Sequence, residues 1–238
     1  MIKDKLFGQS FTYKVVFVFF VLLIAVGFVF FLIKNFSAVK IKQGSGGQEL
    51  LPSKKTMSDL TPNSKKILMV IAWRGFRDDE YFKPKRVFEE NGFQVITASN
   101  QIGMAIGANG GKAKVDISLD EINLNDYCAV VFSGGPKALD YLDSEKVYQI
   151  IQKAIQQEKV LGAICISPVI LAKSGVLEKK RATVWSSPSY HRSIDILKEK
   201  GAIYLNQSVV RDGLIVTANG PAAAAEFGRE IVQVINNE

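Results

Sequence analysis

The chain predicts an α/β fold, a mostly parallel sheet with helices on both faces. Three observations carry this. Short, continuously apolar runs such as 67–72 and 160–164 mark strands buried on both faces. Segments with apolar residues at helical spacing alternate with them, and such alternation requires right-handed crossovers between parallel strands. Turn-forming groups, among them Asn91-Gly92 and Ser133-Gly134-Gly135-Pro136, punctuate the joins.

The first 64 residues stand apart from this pattern. Residues 1–14 form a basic tail. Residues 15–34 are expected to cross a membrane: 15–33 hold no charged residue, and a helix of that length measures roughly 28 Å, about one bilayer core. The run is long for a cleaved signal peptide, so an uncleaved anchor with the lipid bilayer as partner is expected. Residues 35–64, with Gln43-Gly44-Ser45-Gly46-Gly47, Pro52 and Pro62, read as a flexible tether. Lys3, Lys5 and Lys14 precede the span, and Lys34, Lys40 and Lys42 follow it. Positive-inside counting therefore ties. Long domains translocate regardless of charge, which tips the single-pass reading slightly towards an extracytoplasmic domain.

The folded domain is expected over 65–238. Its first strand is 67–72, followed by a polar turn over 73–79 and a helix over 80–91. A second strand covers 93–98. The glycine-rich stretch 101–120 reads as a hairpin insertion, and 127–132 as the next core strand. Asp143 or Ser144 caps a helix whose Val147, Ile150, Ile151, Ala154 and Ile155 share one face. Residues 160–164 form a strand, 181–185 another, and 193–200 a helix stopped by Gly201. Residues 209–217 read as a hairpin turning at Asp212-Gly213, and Pro221 opens the last helix.

Charge excludes one class of partner. The net charge is +7, but residues 1–64 hold eight Lys against three Asp or Glu, a balance of +5, so the remainder carries only +2. The basic character belongs to the membrane flanks. No zinc-finger spacing or aromatic RNA-binding motif occurs, and no nucleic-acid partner, metal or cofactor is expected.

The chemistry concentrates after the 160–164 strand. Cys165 sits between a strand end and a helix start, with Ser167 suited to the N-cap, Pro168 to the first helical position and Gly175 to the C′ position. Such a bend gathers backbone N–H groups, lowers a thiol pKa and supplies oxyanion donors, here Ile166 together with Gly134 or Gly135. Glu80, at a helix start just past the first strand, is the candidate acid beside the sulfur. Each residue also has a plain alternative: a small core thiol, a carboxylate favoured by the helix dipole, ordinary turn glycines. Arg74 and Arg77 read as solvated, or as a bias towards anionic ligands. Cys128 reads as a buried structural thiol. It lies at the opposite strand end from Cys165, so no disulfide joins the two.

From about residue 66 to 235 the chain resembles the PfpI-like superfamily, with its class I glutamine amidotransferase-like fold, which takes in intracellular cysteine peptidases and the Parkinson-associated deglycase. The resemblance rests on Phe76-Arg77-Asp78-Asp79-Glu80, Ser133-Gly134-Gly135, residues 163–168, Ser174-Gly175-Val176-Leu177 and Val210-Arg211-Asp212-Gly213, in that order. It implies a flavodoxin-like three-layer sandwich, a nucleophile at Cys165, a partner carboxylate at Glu80, and homodimers or larger assemblies. Two departures stand out. Family peptidases carry His directly after the nucleophile, where this chain has Ile166. Deglycase-like relatives place a His after a later strand, where this chain has Trp185. The sole histidine, His191, is a candidate base if its loop folds over the pocket, and otherwise an exposed loop residue. Two functions follow. One is a cysteine hydrolase or glyoxalase/deglycase-type enzyme, with aldehyde chemistry favoured because it needs little beyond the thiolate. The other is a non-catalytic redox-sensing, chaperone-like or scaffold module.

Overall fold

The computed structural model describes residues 65–237. The expected tail, span and tether of 1–64 lie outside them. Among the described residues no helix is long and apolar enough to cross a membrane.

The central sheet is built on the apolar runs. β1 (Lys66–Val70) lies at its middle, with β3 (Gln94–Ser99) on one side and β7 (Ala129–Phe132) on the other. Beyond β7 comes β8 (Val160–Ile164), then β12 (Ile215–Ala218), and β11 (Val209–Asp212) closes that edge. β6 (Ile117–Ser118) ends the sheet beside β3. The order is β11-β12-β8-β7-β1-β3-β6, and every pairing is parallel except that of β11 with β12. That exception is the hairpin expected at Asp212-Gly213, where Gly213 takes φ 61°.

Two apolar clusters cover the two faces, giving three layers. α1 (Asp78–Glu90) and α6 (Ala224–Asn237) pack on one face, contributing Tyr81, Phe88, Phe227 and Ile231. The short α2 (Ala138–Leu142), α3 (Glu145–Gln156), α4 (Pro168–Lys173) and α5 (Arg192–Glu199) cover the other with Leu142, Val147, Ile151, Ile170 and Leu197. The expected flavodoxin-like sandwich is present.

Several local expectations differ in the structure. The turn over 73–79 contains a short strand, β2 (Arg74–Phe76), which pairs with β4 (Gly103–Gly107). β4 also pairs antiparallel with β5 (Lys112–Val115), so the insertion is a three-stranded side sheet. α1 starts two residues early, gathering Asp78, Asp79 and Glu80 in its first turn, where the helix dipole favours acids. The strand expected over 181–185 shrinks to β9 (Arg181–Ala182), paired with β10 (Ile203–Tyr204) outside the main sheet. The alternate residues face β11 and β12, where the Thr183 N–H donates to the Thr217 hydroxyl at 2.9 Å. Pro221 opens a 3-10 turn over Pro221–Ala223 before α6 begins.

Candidate active site

The carboxyl ends of β1, β7, β8 and β12 meet at one point, and Cys165 sits there. Its φ is 63°, in the left-handed region that a residue with a Cβ occupies at a cost of about 1–3 kcal/mol. Two backbone bonds hold it: the Cys165 N–H donates to Ala218 O at 2.8 Å, and Trp185 N–H donates to Cys165 O at 2.8 Å. The expected bend is therefore present, fastened by the last strand of the sheet and by the segment after β9. Gly175, at φ 87°, follows the C-terminus of α4 as expected. Ser167 does not cap α4 with its side chain. Its backbone is helical, and its hydroxyl instead donates to Ser133 O at 2.8 Å.

Glu80 arrives from the first turn of α1 and is 0% exposed. Neither carboxyl oxygen has a partner in hydrogen-bond geometry. Its position against Cys165 is read from Gly134, which separates them. A Cβ on Gly134 would stand 2.6 Å from Cys165 Cβ, 2.7 Å from Glu80 Oε2 and 2.7 Å from Ile164 O. Only glycine leaves room for the thiol and the acid to face each other. Gly135, at φ 127°, lies against the Arg77 N–H and the Gly75 carbonyl. The Ser133 hydroxyl donates to Glu80 O at 3.2 Å, so Ser167, Ser133 and Glu80 form a buried chain that fixes the helix start to the β7 turn.

Electrostatics correct one expectation. A strand-to-helix bend is expected to lower the thiol pKa; burial and the neighbouring Glu80 carboxyl push it up instead. The N–H groups of Ile166 and Gly135 face the sulfur and oppose that rise without reversing it. Burial raises the Glu80 carboxyl to about 7, while the Cys165 thiol, the Arg77 guanidinium and the Gly134 N–H restrain it. Near neutrality the thiol therefore keeps its proton, and the Glu80 carboxyl is the group that gains or loses one.

The structure brings Cys165, Glu80, Gly134, Gly135 and Ile166 together. It does not bring in His191, which is exposed at the N-cap of α5 with its Nε2 3.2 Å from Pro188 O. Trp185 adjoins the cysteine through its backbone. Its ring packs on Tyr190 at 5.6 Å between centroids, and the Ser193 hydroxyl bonds its carbonyl. Sequence reasoning missed the Ser133–Ser167 link and the clamping of Cys165 by Ala218 and Trp185; the polar Ser133 and Ser167 in apolar surroundings were the available signal. Arg74 is exposed, its guanidinium 5.6 Å from the Trp73 ring. Arg77, for which the sequence offers a solvated place or a bias towards anionic ligands, is half-buried, and its Nε is buried without a partner. Cys128 is half-buried at the far end of β7, donates to Lys66 O at 3.2 Å, and is pushed by burial up to about 12; both cysteines are free.

Known proteins resemble this chain over the folded domain. An uncharacterised protein of Methanocaldococcus jannaschii is 42% identical over 176 residues, spanning 73% of this chain and 84% of its own. The deglycase PfpI of Pyrococcus furiosus is 31% identical over 170 residues, spanning 71% of this chain and 99% of its own. Among solved structures, a ThiJ/PfpI domain protein from Brachyspira murdochii superposes with a TM-score of 0.70 at 30% identity, covering 74% of this chain and 98% of that one. The matching family model spans residues 65–234, and with these relatives it shows that the chain belongs to the DJ-1/PfpI family.

Proposed function

We propose that the domain is a Cys165-dependent enzyme acting on small reactive aldehydes of the glyoxal type, held at a membrane by residues 15–34. The observation that carries this reading is the buried Glu80 carboxyl, raised to about 7 and set across Gly134 from the cysteine. A carboxyl with that pKa both accepts and returns a proton at neutral pH. As the sulfur adds to an aldehyde carbon, the C–S bond forms and the carbonyl π pair moves to oxygen. Glu80 takes the thiol proton and delivers one to that oxygen. The N–H groups of Gly135 and Ile166 steady the developing charge. For a 2-oxoaldehyde, a proton then moves between the two carbons and water releases the hydroxy acid, with no external oxidant. A deglycase name among the relatives supports the same substrate class. Peptide hydrolysis is disfavoured, because leaving-group protonation in the absence of a placed histidine would fall on Glu80 alone.

Methylglyoxal consumption by the full-length, detergent-solubilised chain tests this. Cys165→Ala should reduce it to the buffer rate, and Glu80→Gln should lower it by about 10²-fold or more. A Cys165→Ala variant as fast as wild type would refute the reading.

A further inference from the structure

Arg77 is a half-buried cation that the reaction above leaves without a function. Among the described residues, no carboxylate lies within ion-pair distance of it. Its Nε is buried and has no partner, and the side-chain partner of its Nη1 is a neutral amide oxygen, Asn109 Oδ1, at 3.3 Å. The neighbouring acids are engaged elsewhere. Asp78 accepts from the N–H groups of Asn109 and Gly111, at 2.8 and 2.6 Å, and Asp79 pairs with Lys83 at 3.1 Å. Glu80 feels the guanidinium through space but makes no bond to it.

Arg77 is also fixed to the site. Its N–H donates to Gly134 O at 2.9 Å, and Gly135, whose N–H faces the sulfur, packs directly against it. The side chain thus departs from backbone that is hydrogen-bonded to the turn that would hold a substrate's carbonyl oxygen. Arg74 and Lys137 flank this turn, and neither is in an ion pair among the described residues; the Lys137 stem lies 3.0 Å from where a Cβ on Gly75 would be. A half-buried guanidinium whose Nε has no partner is matched by a planar, two-oxygen anion.

We propose that Arg77 anchors a carboxylate carried next to the reacting carbonyl, so that the site selects aldehyde acids over neutral aldehydes. This rests on the aldehyde reading of Cys165. Glyoxylate and glyoxal make a matched pair, equal in carbon number and differing by carboxylate against aldehyde. Each adds reversibly to the thiol: the C–S bond forms, the thiol proton ends on the former carbonyl oxygen, and nothing is oxidised.

The test is protection of Cys165 in the full-length chain from iodoacetamide, read by mass spectrometry across a concentration series of each aldehyde. Wild type should be half-protected by glyoxylate at a concentration at least tenfold below that for glyoxal. Arg77→Gln should collapse that ratio by tenfold or more, and Arg77→Lys, which keeps the charge but loses the planar two-donor fork, should retain only part of it. The ratio cancels any common effect on Glu80. Equal protection by the two aldehydes in wild type, or an unchanged ratio in Arg77→Gln, overturns the anchor while leaving the aldehyde reading intact. Failure of both aldehydes to protect Cys165 removes the aldehyde reading and the anchor with it.

Discussion

Glu80 links pH to stability in the direction opposite to an ordinary surface carboxylate. Its folded pKa, about 7, lies above its usual 4.5, so the native state binds the proton more tightly than the unfolded chain. Its contribution is fully present below about pH 4.5 and is lost as pH rises through about 7, a difference on the order of 3 kcal/mol. Urea midpoints measured from pH 5 to 8 should fall with rising pH, and Glu80→Gln should flatten that slope. The same variant separates reactivity from catalysis. Removing the neighbouring carboxylate lowers the Cys165 pKa, so alkylation at pH 7 should speed up while aldehyde turnover falls. At Gly134, alanine would force a methyl within 2.7 Å of three atoms of the site. Gly134→Ala should cost about 1–3 kcal/mol in denaturant unfolding and abolish turnover. The sequence made Cys165, Glu80 and the two glycines legible because each is a residue type with few reasons to occupy its position. It left Arg77 and Ser133 obscure, since their meaning depends on which distant backbone they meet.

Elements with a strong period were readable, and elements defined by a partner were not. The apolar stripe of α3 and the apolar runs of β1 and β8 declare themselves locally. β2 does not, because Arg-Gly-Phe becomes a strand only through its pairing with β4. β9 likewise is a strand only through its pairing with β10, further on in the sequence. The side sheet is pinned to α1 by Asp78, whose carboxylate accepts two backbone N–H bonds from the β4–β5 turn. Asp78→Ala should destabilise the domain by about 1–3 kcal/mol. Hydrogen exchange at Asn109 and Gly111 should accelerate well before exchange in β1 does.

At the scale of the whole molecule, alternating elements foretold a parallel sheet with helices on both faces and the family resemblance implied the three-layer sandwich, whereas the strand order depends on pairings between segments distant in sequence. The proposed anchor is a separate matter of composition. In a cell lysate the full chain should pellet with membranes, resist alkaline carbonate and be released by detergent. A chain beginning at residue 65 should remain in the supernatant, and recovery of the full chain there would rule out the anchor.

The bond from Cys165 to Ala218 carries a further implication for biosynthesis. β8 is made well before β12, yet the sheet seats β12 directly against it. A nascent polypeptide that has not yet reached residue 215 therefore carries an ordinary cysteine with nothing to hold its amide in the left-handed bend. Assembly of the site therefore waits for β12, and prematurely ended products should show no aldehyde turnover while carrying a thiol of ordinary acidity, more readily alkylated at neutral pH than the buried Cys165 beside Glu80.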